Sequence, residues 1–264
     1  MPAPRRRSRA KAGRASGAVF RIGCAGWSVP SAHAAAFPGD GTHLERYSRR
    51  FPAVEINSSF YRAHLPRTYG KWAAQVPAGF RFAVKFPRAG THDNRLQDTG
   101  AIVDAFADQV QCLGAALGPV LVQLPPSLAF DEAVARGFFA SLRRRIDTPV
   151  VCEPRHASWF QPDVEAVWSA FGVSRVAADP ARIPEAALVA GAGPVRYWRL
   201  HGSPRVYYDA YGDERLSNWA QDIRREADAG HECWVMLDNT TLGHATADAL
   251  RLQALLASPD QSSR

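Results

Sequence analysis

Val150-Val151-Cys152-Glu153-Pro154-Arg155-His156 begins as an apolar, partly β-branched run and ends on an acid, a base and an imidazole. Short apolar runs of this kind read as buried strands, because a helix needs ten or more periodic residues. Seven other runs share the pattern: residues 19–27, 53–61, 81–87, 120–126, 173–179, 195–202 and 233–240. Helical patterns fall between most of them. Residues 98–117 carry Ile102, Val103, Phe106, Val110 and Leu113 at helical spacing, with Gly118-Pro119 as the stop. Residues 130–145 repeat this, with Asp131 placed to cap the start. Stretches 163–171, 216–229 and 244–256 complete the set, and Gly172 and Gly230 are stop signals. Eight strands alternating with helices predict an α/β fold: a single (β/α)8 TIM barrel. An open doubly wound sheet is the alternative, but no G-x-G-x-x-G follows the first strand to favour it.

The bulk numbers agree with one large globular domain. The chain has 264 residues, 46% of them hydrophobic and 22% charged, enough to bury a core without staples. No run approaches the roughly 20 apolar residues that span a bilayer, so no membrane partner is expected. Cys24, Cys112, Cys152 and Cys233 form no C-x-x-C pair. They predict neither disulfides nor zinc, and a reducing cytoplasm is the expected setting. Arg5, Arg6, Arg7, Arg9, Lys11 and Arg14 account for all but one unit of the net charge of +7. The basicity therefore belongs to a disordered tail over residues 1–17, ahead of a barrel domain at 18–258 and a C-terminal tail at 259–264. Such a tail can grip phosphates, resemble a transit peptide, or do neither.

Polarity concentrates where the strands end. Side chains alternate along a strand, so Glu55 with Asn57, Glu153 with Arg155, and Arg199 with His201 share faces. In a barrel those faces meet at the C-terminal mouth, where this fold places its chemistry. Lys85, Gln123, Asp179 and Asn239 end their strands at the same level. The acids Glu55, Glu153, Asp179 and Asp238 need partners, because a lone buried charge is strongly disfavoured. Lys85, Arg155 and Arg199 supply them, and an internal salt-bridge network would draw on the same residues. Only three lysines (Lys11, Lys71, Lys85) stand against 29 arginines. An ammonium at a strand end then points to a partner for Glu55 or to a substrate anion, with Schiff-base chemistry conceivable. His156 and His201 follow strands and suit acid–base work near neutral pH, and His92 is a further mouth candidate. Tyr61, Trp159 and Tyr208 belong to a rim of aromatic rings that suits a sugar or a nucleobase. The connection 202–215 is long and holds Tyr207, Tyr208 and Tyr211, as a substrate-covering loop would.

These motifs resemble those of the YecE-like proteins, a family of unknown function, over residues 20–256. The resemblance rests on Gly23-x-x-Gly26-Trp27-Ser28, Val54-Glu55-Ile56-Asn57 with Phe60-Tyr61, Phe82-Ala83-Val84-Lys85 and Thr91-His92. It continues through Leu117-Gly118-Pro119-Val120-Leu121, Gln123-Leu124-Pro125-Pro126, Glu153-x-Arg155-His156-x-Ser158-Trp159, Arg199-Leu200-His201-Gly202 and Tyr208-x-x-Tyr211. It implies a (β/α)8 barrel similar to the sugar isomerase and abasic-site endonuclease superfamily, and it supplies no activity. Two departures stand out. Asp238-Asn239-Thr240 occupies the place of a paired asparagine, and Pro154 that of an aromatic residue.

The leading functional expectation is an enzyme acting on a small anionic polar substrate such as a sugar phosphate. Arg155, Arg199 and Lys85 hold the anion, because guanidinium groups grip phosphate and carboxylate bidentately. Glu153 or Glu55 serves as general base and His201 or His156 as general acid, with Asp179 a further catalytic candidate. Asn57, Tyr61, His92, Gln123, Trp159, Tyr208 and Asn239 complete the substrate-binding set. One alternative is a nucleic-acid-binding or endonuclease-like protein using the basic tail. Another is a glycoside hydrolase built on Glu55 and Glu153. No cofactor is required by the sequence. A divalent metal on Glu153, Asp179, His201 and Asn239 is possible, although the arginines compete for the same carboxylates.

Overall fold

The structure, a computed structural model, describes residues 19–258. The tails expected over 1–17 and 259–264 lie outside the described residues. The strands are β1 (Phe20–Cys24), β2 (Ala53–Ile56), β3 (Arg81–Lys85), β4 (Leu117–Gln123), β5 (Val150–Glu153), β6 (Val173–Arg175), β7 (Ala177–Asp179), β8 (Ala190–Gly191), β9 (Val195–Leu200) and β10 (Glu232–Leu237). They form two sheets ordered β1-β10-β9-β7 and β2-β3-β4-β5-β6-β8. Pairing is parallel throughout except where the two-residue β8 lies antiparallel on β6. The helices are α1 (His43–Ser48), α2 (Pro66–Ala74), α3 (Gly100–Val110), α4 (Glu132–Arg143), α5 (Asp163–Phe171), α6 (Asp213–Asp228) and α7 (His244–Ala257). The product is an α/β fold on parallel sheets, TIM-barrel-like in its alternation.

Two places connect the sheets. The single strand expected over 173–179 bends at Val176, so that β6 pairs with β5 and β7 with β9. Val176 N donates to Cys152 O at 2.8 Å across the bend. At β1 and β2, Ala25 forms a parallel bridge with Glu55, and Gly26 N donates to Glu55 O at 3.0 Å. Gly23 allows this approach, because a Cβ there would lie 2.0 Å from Ala53 O.

Strand alternation sorts the apolar residues into two layers. Val54, Ile56, Val84, Val122, Cys152, Trp198, Leu200, Val235 and Leu237 pack beneath the helices with Phe106, Phe138 and Leu252. Ala53, Ala83, Leu121, Val151, Val176, Val195, Tyr197, Trp234 and Met236 form a second buried cluster on the opposite face, drawn from both sheets. Both layers are almost fully dry, and each Val- or Leu-sized side chain so placed stabilises by roughly 1.5–3 kcal/mol.

Several elements differ from the sequence reading. Residues 98–117 are not one helix. α3 ends at Val110, and a short 3-10 segment follows, in which Gly114 turns at φ 53°. Gly118-Pro119 lie inside β4 rather than stopping a helix. Gly118 is there for space, since a Cβ would sit 2.6 Å from the Trp234 ring. Helices α1 and α2 have no counterpart in the periodicity, being only 6 and 9 residues long. The sequence does carry a signal for α1: Thr42 and Glu45 form a reciprocal capping box. Asp131 caps α4 as expected, accepting from Val134 N at 3.0 Å. Among the described residues no helix is long and apolar enough to cross a membrane.

Candidate active site: a buried charge cluster at the strand ends

The face that carries Ala53, Ala83, Leu121, Val151, Tyr197 and Met236 continues, two residues further along each strand, as Glu55, Lys85, Gln123, Glu153, Arg199 and Asp238. All six side chains are buried. Arg199 organises them. It donates from Nε and Nη2 to Glu55 at 3.1 and 2.8 Å, from Nη1 to Glu153 at 2.8 Å, and from Nη2 to Asp238 at 2.9 Å. Its own exposure is 0%. Tyr197 Oη donates to Glu55 at 2.9 Å. Glu153 also accepts from Gln123 at 2.8 Å and from Arg155 Nε and Nη2 at 3.1 and 2.9 Å.

His201 lies between two acids, its Nδ1 3.0 Å from Asp238 Oδ2 and its Nε2 3.2 Å from Glu153 Oε1. Burial alone would lower the imidazole pKa, but Glu153 and Asp238 outweigh it and hold the ring above its ordinary value. Burial would likewise raise both acids. Arg155, Arg199 and His201 instead keep Glu153 well below the usual carboxylate range, and Arg199 and His201 lower Asp238. Lys85 differs from the other cations. It makes no ion pair among the described residues, and its Nζ sits 4.0 Å from the Phe60 ring centroid. Burial, then the nearby Arg199, pulls it down to about 8. Three acids thus face Arg155, Arg199, Lys85 and His201, whose raised pKa favours its cationic form.

Beside the cluster a cleft of about 250 Å³ opens against Glu153, Arg155, His201 and Tyr207. Tyr207 stands edge-on to His201 with ring centroids 5.7 Å apart. Its backbone is left-handed, φ 70°, a costly conformation for an aromatic residue that concentrates at functional sites. Tyr207 N donates to His201 O at 2.6 Å and holds the turn. The loop is anchored further along by Tyr211, whose hydroxyl accepts from Gly202 N and donates to Asp179 O.

Of the residues singled out from sequence, Glu55, Lys85, Gln123, Glu153, Arg155, Arg199 and His201 come together. His92 is near them, edge-on to Phe60 at 5.0 Å. Burial, then Arg88, Lys85 and Arg155, pushes its pKa down to about 4. Others lie elsewhere. Asp179 and Asn239 have the opposite strand parity and face the helices, where Asp179 pairs with Arg215 of α6 and Asn239 donates to Asp248 of α7. His156 caps the turn after β5, its Nδ1 accepting from Ser158 N at 3.2 Å. Trp159 is core, donating to Leu128 O and stacked on Trp168. Asn57 lines a second recess with Trp27, His43 and the cluster's own Glu55. Tyr61 is 73% exposed, and Tyr208 lies under Arg205. Asp238 and Tyr197 complete the cluster: Asp238 is one of the four strand-end acids read from sequence, with no catalytic or binding role given to it there, and Tyr197 is not among the residues so read. Asp238 shares the parity of Trp234 and Met236, which is the signal that finds it.

Among the described residues no three His, Cys, Asp or Glu groups are arranged to hold a metal ion. The metal-ligand set expected from sequence is divided, because Asp179 and Asn239 turn away. Arg199 also fills the space between Glu55 and Glu153, so this pair is not the open two-carboxylate site of a glycoside hydrolase.

Parallel strands alternating with helices, with charged groups at the strands' C-terminal ends, define a TIM-barrel-like α/β protein with its polar site on the face that fold uses for chemistry. The chain belongs to the family described as protein of unknown function DUF72, whose sequence profile matches residues 21–263. The resemblance read from the motifs therefore holds. The chain is similar to the UPF0759 protein YecE of Escherichia coli strain K12, 32% identical over 120 residues, which cover 45% of this chain and 43% of that one. It is also similar to the UPF0759 protein YunF of Bacillus subtilis strain 168, 28% identical over 153 residues, covering 54% and 53%. The chain thus spans about half the length of the curated relatives it matches. A crystal structure of a DUF72 family protein from Thermotoga maritima MSB8 superposes with TM-score 0.75 at 21% identity, over 91% of this chain and 100% of that one. One from Enterococcus faecalis V583 gives 0.75 at 19% identity, over 92% and 97%. A xylose isomerase-like TIM barrel/4-hydroxyphenylpyruvate dioxygenase fusion protein matches with TM-score 0.51 at 16% identity, over 90% of this chain and 42% of that one. At these identities the likeness concerns fold alone.

Proposed function

We propose that this chain is an enzyme of acid–base type acting on a small anionic substrate at the mouth of a closed (β/α)8 barrel. Closure is supported by the apolar cluster shared between both sheets and by the contacts at Val176 and Ala25. The four cysteines, all free, support a reducing, cytoplasmic setting.

One observation carries the functional reading: His201, flanked by Glu153 and Asp238, lines a cleft beside the cluster that holds Arg155, Arg199 and Lys85. Arg155 binds the anion and Lys85 adds charge behind it. Both ring nitrogens of His201 face an acid, so the bound substrate takes the place of Glu153 at Nε2, receives the proton of the imidazolium there and, once the ring is neutral, returns one to it. Glu153 and Asp238 orient the ring and stabilise its cationic form, as buried carboxylates do for catalytic histidines elsewhere. Glu153 itself is a weak base here, because three cations hold it ionised. Glu55, saturated by Arg199 and Tyr197, positions the guanidinium.

The test is a conversion assay in which the protein is incubated with a mixture of phosphorylated and carboxylated metabolites and analysed by mass spectrometry. At least one component should be consumed. His201→Asn should slow that step by roughly 10²- to 10⁴-fold, the usual worth of a proton-transfer group, while still unfolding cooperatively. Conversion unchanged in His201→Asn overturns the reading.

A further inference from the structure

The cleft beside His201 gathers most of its polar groups where it meets the charge cluster. Glu153, Arg155 and His201 stand there, and the rest of its lining is mostly apolar (Phe160, Pro180, Ala181, Ile183, Ala186 and Val206), with the exposed Arg182 and Tyr207 as the polar exceptions. No serine, threonine, asparagine or glutamine lines it among the described residues. A sugar phosphate would bring several hydroxyls against a wall where only Arg182 and the Tyr207 hydroxyl could receive them, and each polar group buried without a partner is costly. At about 250 Å³ the cleft is also small for a ligand site.

We infer that the ligand of this cleft is an amphiphilic monoanion: a carboxylate held by Arg155, attached to an apolar body about the size of one ring. The inference rests on the anion-site reading above and narrows it away from sugar phosphates. The head-group end is already built. Arg155 spends Nε and Nη2 on Glu153 Oε1 at 3.1 and 2.9 Å, which fixes the guanidinium plane and leaves Nη1 without a partner among the described residues. The body end is built by the segment after β7, whose short 3-10 helix Pro184–Ala187 buries Ala186 against the cleft. The Tyr207 ring, held at φ 70° beside His201, gives a flat surface for a ring to stack on.

The experiment titrates the full chain, by calorimetry or ligand-observed NMR, with phenylacetate, phenylacetamide, acetate and glucose 6-phosphate. Phenylacetate should bind at least about tenfold more tightly than each of the others, since it alone satisfies both ends. Val206→Asp, at an exposed loop position lining the cleft, and Ala186→Trp, which fills the wall, should each weaken phenylacetate about tenfold and leave acetate unchanged. Glucose 6-phosphate binding as tightly as phenylacetate, or phenylacetate affinity unmoved by both wall variants, overturns the inference. Arg155→Ala separates the two claims. If glucose 6-phosphate binds, and binds through Arg155, while phenylacetate does not, the amphiphile falls and the anion site stands. If no anion responds to Arg155→Ala, both fall.

Discussion

His201 Nε2 lies 3.2 Å from Glu153 Oε1 while the same ring's Nδ1 lies 3.0 Å from Asp238 Oδ2, so one imidazole ties the end of β9 to acids at the ends of β5 and β10. That geometry sets a pH dependence. The folded pKa is raised above the ordinary value of 6.5, so the folded state holds this proton more tightly than the unfolded chain. The stability it contributes is complete below pH 6.5 and is lost as pH rises through the folded pKa. Calorimetric melting temperatures should therefore fall over that window in the wild type and fall less in His201→Asn. A variant whose pH profile overlays the wild type would show that the imidazole is not charged by its two acids.

Among the described residues Arg199 alone touches all three acids, and its removal leaves Glu55, Glu153 and Asp238 crowded without their shared cation. Arg199→Met should cost about 3–5 kcal/mol in urea unfolding, the usual penalty for breaking a buried ion pair from one side. Adding Glu55→Leu to that variant should recover part of the loss, because one uncompensated acid is gone. A loss below about 1 kcal/mol for the single variant would mean that the acids protonate at little cost.

Much of this site was legible because strands alternate. Glu55, Glu153, Arg199 and His201 each stand an even number of residues from an inward apolar neighbour (Ala53, Val151, Tyr197), and a period-two reading brings them together. The same rule, applied strictly, excludes Asp179 and Asn239. They are in step with the outward-facing Ala177 and Leu237 and only look like mouth residues because they are the last polar groups of their strands. His156 and Trp159 lie beyond the end of β5, where a 3-10 turn breaks the alternation and strand parity gives no guidance. The eight-run pattern similarly hid the break at Val176, since one short run, residues 173–179, serves two sheets. The roof residue Tyr207 depends on a left-handed backbone that no residue type there announces.

Lys85 offers a test in the opposite direction from His201. Its pKa is about 8 in the fold against 10.5 ordinarily, so the unfolded chain holds the proton more tightly. The lysine therefore costs stability at neutral pH. That cost fades as pH rises from about 8 to 10.5, where both states become neutral. Lys85→Met should raise unfolding stability at pH 7 by up to about 3 kcal/mol, and the gain should vanish near pH 10.5. The same variant should bind anions more weakly, which is the trade expected of a charge kept for function. Destabilisation by Lys85→Met at pH 7 would instead make the ammonium a structural partner of the acids.

Gly23 tests how tightly β1 and β2 are drawn together. A Cβ there would lie 2.0 Å from Ala53 O and 3.0 Å from Tyr47 Oη. Tyr47 is itself a clamp on this seam, donating to Ala53 O at 3.1 Å and accepting from Cys24 N at 2.8 Å. Backbone cannot yield as a flexible side chain does, so Gly23→Ala must part the strands and break the clamp. It should cost more than about 4 kcal/mol, in the range of exceptional single substitutions. Gly26 is the matched control three residues on. It has φ 103°, but a methyl group there would meet nothing within 4 Å, so Gly26→Ala carries backbone strain alone, about 1–3 kcal/mol. Urea unfolding of the two variants should rank Gly23→Ala as clearly the more damaging. The reverse order would mean that β1 and β2 are not pressed together at this seam, and would remove one of the two contacts on which closure of the barrel rests.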